Sequence, residues 1–259
     1  MQNPIAEGDF KWILHCNCEG TEQLQNKEKG KVNKMQRVLV ICDDVWHPAE
    51  VIEKGIAPLA EERYRFEFVK VAKDILTPEM IAEYPLIICC KANNVTSGNP
   101  APWFENSVTE VMGGEFRSYV EQGGAFLAVH SGNVFTGEGD GVKEYTDFVG
   151  NRFLSHPLRC EVLLKKEKEH PIMRGVEEEF SIRDEHYQME ILAKDADVFL
   201  TSHSKTGGDQ TAGYTRQMGE GRLCVLTPGH TLSVWQNKEF QQIFLNAVQW
   251  CLEGKVADE

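Results

Sequence analysis

The sharpest chemical feature of the sequence is His130. It closes the apolar run AFLAV and opens the turn His130-Ser131-Gly132-Asn133. The segment GGAFLAVHSGN reads as a strand, a sharp turn and a helix. That is where α/β hydrolases carry an elbow nucleophile in the form G-x-S-x-G or G-x-C-x-G. Here the elbow position holds an imidazole, which near neutral pH serves as general base, hydrogen-bond donor or metal ligand. Ser131 lacks the flanking glycine spacing of a serine nucleophile. A second concentration is Asp184-Glu185-His186-Tyr187, two carboxylates, an imidazole and a phenol in succession. On a strand, Asp184 and His186 share one face and Glu185 and Tyr187 the other, so a half-buried strand turns one pair inward. His156 and His170 each precede proline, which favours extended backbone. His170 lies in the charged stretch KKEKEHP and is expected to be exposed.

The elements that must position these groups follow from the apolar pattern. RVLVIC (37–42), PLIICCK (85–91) and AFLAVH (125–130) are continuous apolar runs of strand length, and YRFEFVKVA (64–72) alternates as a strand. Between them, residues 47–62, 77–84 and 105–122 have helical spacing. Apolar strands interleaved with helices predict a mostly parallel sheet covered on both faces. In the second half, residues 159–167, 180–192, 198–204, 211–218 and 221–228 are strand-like with no helix between them, which predicts an antiparallel extension. A last amphipathic helix carries Phe240, Ile243, Phe244, Ala247, Val248 and Cys251 at helical spacing. The fold class is therefore α/β.

Ligands of open α/β sheets bind beyond the carboxyl ends of the strands. The residues there are Asp43, Asp44, Trp46 and His47 after the first strand, and Lys91, Asn93 and Asn94 after PLIICC. His130 to Asn133 follow AFLAV, and Gly229 and His230 follow RLCVLTP. Apolar strands with polar ends predict a functional cleft along this edge.

Composition sets the bounds. The 259 residues are 41% hydrophobic and 26% charged, which is ordinary globular composition. Lys and Arg number 27 against 40 Asp and Glu, a net charge of −13. That argues against nucleic acid and anionic membrane surfaces as partners, which need a positive face, and allows neutral ligands such as sugars. No run approaches the roughly 18 apolar residues of a membrane span, and the start lacks the pattern of a secretory signal. The expected location is the cytoplasm. The eight cysteines sit mostly in apolar runs and read as buried thiols rather than disulfides. Residues 1–34 differ in character from the rest, and Met35 reads as an alternative natural start. The expected organisation is a peripheral N-terminal extension (1–34) and a single α/β domain (35–254). No GxGxxG follows a strand and no P-loop is present, which argues against dinucleotide and P-loop chemistry. No HExxH or HxH spacing indicates a metal. His, Asp and Glu from distant segments could still hold a divalent ion such as zinc, whose catalytic sites use three protein ligands and an open position.

The sequence resembles the ThuA-like family, named for trehalose utilisation. The resemblance covers about 35–252. It rests on VLVICDDVWHP, GGAFLAVHSGN, FLSHP, HPIMRGVEEEFSIRDEHYQ and GEGRLCVLTPGHT, in that order. It implies a flavodoxin-like, class I glutamine amidotransferase-like three-layer sandwich. In amidotransferases the elbow residue is a cysteine activated by a His–Glu pair. Here it is His130 with no cysteine following, so thiolate hydrolysis of glutamine is excluded at that position. The family association is bacterial use of disaccharides through 3-keto derivatives, which implies a sugar or keto-sugar ligand. Matching positions imply that His130, Glu185, Tyr187 and His230 line the pocket as the candidate catalytic set. Asp44, Trp46, His47, Asn133, Arg152, His156, Asp184 and His186 complete it as candidate substrate-binding residues. Trp46, Trp103 and Trp235 could stack on sugar faces. The leading expectation is an enzyme of His/Glu acid–base chemistry, with His130 as base or electrophile. The alternatives are a non-catalytic sugar-binding or regulatory module and a metal-dependent hydrolase. Homo-oligomers are common for such folds, but no surface pattern establishes one here.

Overall fold

The apolar runs form the parallel centre of a sheet because both of their faces are covered. The computed structural model describes residues 35–60, 63–70, 72, 76–92, 111, 113–137 and 140–253. The readings of residues 1–34, Asn93, Asn94, Trp103 and the segment 105–110 lie outside these residues. Strand β1 (Gln36–Ile41) pairs in parallel with β2 (Tyr64–Val69) on one side and β3 (Leu86–Cys89) on the other. Strand β3 pairs in parallel with β4 (Ala125–Val129), and β4 with β11 (Gly221–Leu226). From β11 the pairing turns antiparallel through β10 (Gly208–Met218), β9 (Asp197–Ser204), β6 (Cys160–Lys166) and β7 (Glu179–Asp184). The nine strands stand in the order β2-β1-β3-β4-β11-β10-β9-β6-β7. Strands β5 (Asn151–Ser155) and β8 (Gln188–Ile191) form a separate antiparallel pair.

Alternation along each strand feeds two cores. Val38, Val40, Leu86, Ile88 and Leu127 face one of them. There they meet Ile52 and Ile56 of α1 (Ala49–Ile56) and Phe240, Ile243, Phe244 and Ala247 of α6 (Lys238–Leu252). Leu39, Ile41, Ile87, Phe126 and Ala128 face the other. Ile81 of α2 (Pro78–Ala82), Phe116 and Val120 of α3 (Gly113–Glu121) and Phe148 of α4 (Asp140–Val149) close over them. The short helix α5 (Leu232–Trp235) precedes α6, which Asn237 caps by accepting from the N–H groups of Glu239 and Phe240. The mostly parallel sheet with an antiparallel extension agrees with the reading of the sequence.

Three readings change. The helix expected over 47–62 is α1 alone, followed by a 3-10 turn at Ala57–Leu59, because Pro58 has no N–H to continue the α-helical ladder. Helix α4 was not anticipated. The run 180–192 is not one strand: β7 ends at Asp184 and β8 starts at Gln188, in different sheets. Residues 185–187 are the break between them.

His170 is also not an exposed loop residue. Its ring lies on Phe199 at 4.8 Å and 18°, its Nδ1 accepts from the Ile172 N–H, and its side chain is 7% exposed. Burial, helped by the Lys168 ammonium, pushes its pKa down to about 4. A histidine depressed in the folded state adds stability above its unfolded pKa, and that stability fades as pH falls toward the folded value. The stability advantage of the native chain over His170→Gln should therefore shrink between about pH 6.5 and pH 4. Urea denaturation of both proteins across that range checks it.

Candidate active site

Every group in the site stands at the end of a strand or in the break between two. The loop after β1 is folded around Asp44. Its carboxylate accepts from the N–H groups of Trp46 and His47, both at 2.8 Å, and from that of Ala92 beyond β3, also at 2.8 Å. The His47 ring places Nδ1 at 2.7 and 2.9 Å from the two carboxylate oxygens. Burial pushes the Asp44 pKa up, but the His47 ring and these N–H groups together hold it below the ordinary value. Since a carboxylate only accepts, Nδ1 of His47 carries a proton, and in the neutral ring Nε2 then presents a lone pair.

His130 follows β4 on a left-handed backbone, φ +48°. For a residue with a Cβ that conformation is costly and belongs to sharp functional turns. Gly132 makes the turn feasible: a Cβ there would sit 1.9 Å from the Cys89 carbonyl oxygen. Ser131 donates to the Cys90 carbonyl at 2.8 Å, so its hydroxyl anchors the turn rather than facing a ligand. Nδ1 of His130 lies 2.8 Å from the Thr227 carbonyl, just past β11. A carbonyl only accepts, so this nitrogen is the N–H and Nε2 is again a lone pair. That excludes the neutral ring as an electrophile through Nε2 and leaves it as base or ligand. Burial pushes its pKa down to about 4.

The β7–β8 break delivers Glu185. Its Oε2 is 3.2 Å from His230 Nδ1, 3.5 Å from His130 Nε2 and 3.6 Å from His156 Nε2. Burial raises the Glu185 pKa, yet these imidazoles outweigh it and hold it below the usual carboxylate value. Burial pushes His230 down to about 4. Just before the break, Asp184 accepts from the N–H groups of Gly229, at 2.8 Å, and His230, at 3.1 Å. Burial pushes its own pKa up to about 7. Tyr187 lies under the His130 ring, centroids 4.1 Å apart and 26° from parallel.

The structure thus gathers His47, His130, Glu185 and His230, with Tyr187 and His156 against them. One ligand atom from each of the first four lies within 4.8 Å of the others. Asp44 and Asp184 stand behind, holding His47 and the Gly229–His230 backbone. Other sequence candidates have different partners. Asn133 donates to the His130 and Leu226 carbonyls and ties the turn to β11. His186 is bracketed by the hydroxyls of Ser204 at 2.7 Å and Ser202 at 2.9 Å. Arg152 pairs with Glu190 across β5 and β8. Trp46 is 51% exposed beside His47, whereas Trp235 is fully buried and donates to the Gly229 carbonyl. The Thr227 carbonyl and the N–H of Ala92 were not anticipated, since main-chain groups leave no mark on residue type.

A family model described as ThuA, trehalose utilisation, matches residues 37–251, a span that contains every group of the site. The chain belongs to the ThuA family. No curated protein matches it in sequence. Among solved structures it is similar to a putative ThuA-like protein of Bacteroides uniformis. The TM-score is 0.65 at 17% identity, over 85% of this chain and 92% of that one. A putative ThuA-like protein of Parabacteroides merdae gives 0.63 at 17%, over 87% and 93%. A β-galactosidase of Rahnella sp. gives 0.59 at 13%, over 83% of this chain but 31% of that one. At these identities the likeness speaks for the fold alone.

The close approach at Gly132 generates a prediction. Gly132→Ala should destabilise the protein by about 3 kcal/mol, the upper end of overpacking costs, because a backbone carbonyl cannot rotate away as a side chain can. A denaturant midpoint unchanged from the native chain would refute this reading of the turn.

Proposed function

We propose that the chain is an enzyme of carbohydrate use that acts on a sugar or keto-sugar by acid–base chemistry. The observation that carries it is the single Glu185 oxygen facing three imidazoles at the carboxyl edge of the sheet. Proton abstraction from a carbon beside a carbonyl suits this set. Glu185, whose Oε2 stands at the centre of the rings, takes the proton. His156, the most exposed of the three rings facing Glu185 at 36% of its side chain, exchanges it with solvent. Tyr187 orients His130, and Trp46 offers an exposed indole at the rim for a sugar face. Trehalose, other disaccharides and their 3-keto derivatives are the first substrates to try, given the family.

The finer fold reading supports the same site. The parallel strands stand in the order β2-β1-β3-β4-β11, which corresponds to the flavodoxin-like order, with the order reversing between β1 and β3. Asp44, His47 and Ala92 flank that reversal. We place the protein in the cytoplasm. No described helix is long and apolar enough to cross a membrane, and none of the described cysteines is joined in a disulfide.

Product formation followed by NMR on these sugars tests the proposal. Glu185→Gln should lower kcat/KM by about 100-fold or more, the range for loss of a positioned acid–base group. Saturable sugar binding with no new product would favour the binding-module alternative instead.

A further inference from the structure

We propose that His47, His130, His230 and Glu185 form a binding site for one divalent transition-metal ion. The inference deepens the proposed function, since it assigns a cofactor to the same site. It stands on four observations.

First, His47 Nε2, His130 Nε2 and His230 Nδ1 are buried and make no hydrogen bond among the described residues. His47 and His130 are themselves 7% and 2% exposed. Buried polar nitrogens without a partner are rare and mark a missing one. Second, these atoms converge with Glu185 Oε2, all four within 4.8 Å of one another. A proton bridges two such atoms at most, whereas a cation answers all four lone pairs at once. Third, the three rings stand edge to face around one another. Their centroids are 4.9, 5.0 and 5.4 Å apart, at 74°, 86° and 67°. The Glu185 oxygen lies 3.2 and 3.5 Å from two of the nitrogens. A tetrahedron built from zinc-type bonds has edges of about 3.3 Å. Fourth, two of the imidazoles are backed as metal ligands are. The far nitrogen of His47 is held by the Asp44 carboxylate and that of His130 by the Thr227 carbonyl, which fixes the metal-facing nitrogen as the unprotonated one.

Three imidazoles and one carboxylate are a borderline donor set. It suits zinc, manganese, iron, cobalt or nickel rather than calcium or magnesium, which take oxygen. Glu185 completes the set in the resting site. The ion would polarise a sugar oxygen bound to it, and Glu185, the one carboxylate of the set, would stand beside that sugar as the base.

The test uses the full chain, stripped with chelator and dialysed separately against zinc, manganese, cobalt and nickel. Bound metal is measured by mass spectrometry, and the cobalt form by its visible absorption. The expected result is about one ion per chain and a cobalt spectrum of nitrogen–oxygen coordination. His47→Asn and His230→Asn should lose the ion, and Asp44→Asn should bind about 10- to 100-fold more weakly. His203→Asn, an exposed ring paired with Asp209, should bind as the native chain does. The wild-type cobalt spectrum keeps the test open even where a variant fails to fold. No stoichiometric ion with any of the four metals would overturn the proposal, as would unchanged binding by a folded His47→Asn. Sugar turnover by a protein that binds none of the four metals would overturn the metal site and leave the proposed function standing. A bound ion with no turnover of any sugar would do the reverse.

Discussion

The site depends on two hydrogen bonds that point away from it. An imidazole has two nitrogens, and only one faces the cluster. The Asp44 carboxylate holds the other nitrogen of His47, and the Thr227 carbonyl holds that of His130. Each acceptor fixes both the ring orientation and the tautomer, so both lone pairs are directed inward. Without these acceptors, the rings would be free to turn and satisfy one another. The cluster is thus maintained by groups that do not belong to it.

The sheet supplies those acceptors at fixed distances. Asp44 follows β1, and the Ala92 N–H that helps to anchor it follows β3. Thr227 follows β11, directly beside the turn that ends β4. The strained backbone at His130 is held by Ser131 on Cys90, by Asn133 on Leu226 and by the close pass of Gly132 over Cys89. Such strain costs of order 1–3 kcal/mol and persists only where its surroundings over-determine it. Here the two neighbouring strands, β3 and β11, do so.

Much of this was legible in the residues. The apolar runs marked the parallel strands because both of their faces are covered. The polar tips of those strands marked the edge where the cluster lies. His130, Glu185 and His230 stood out by type and position. Less legible was what tertiary context decides. His186 and Glu185 are adjacent in sequence, yet one lies between two serine hydroxyls and the other in the cluster. The break between β7 and β8 carries no glycine or proline to announce it. His170 sits in a charged stretch and looked exposed, but Phe199 covers its ring. His47 ranked behind His130 in the sequence, because its value comes from a carboxylate three residues earlier turning back onto it.

The insertion of β11 between β4 and β10 has a consequence for the order of events during folding. The strands that carry His47 and His130 are all made in the first half of the chain. The carbonyl that orients His130 and the ring of His230 arrive only with the last strand of the sheet. Contacts between segments so far apart form late and slowly. A nascent chain halted before β11 would hold the strands on both sides of that gap but neither the Thr227 carbonyl nor the His230 ring. The cluster is complete only once that last strand has paired.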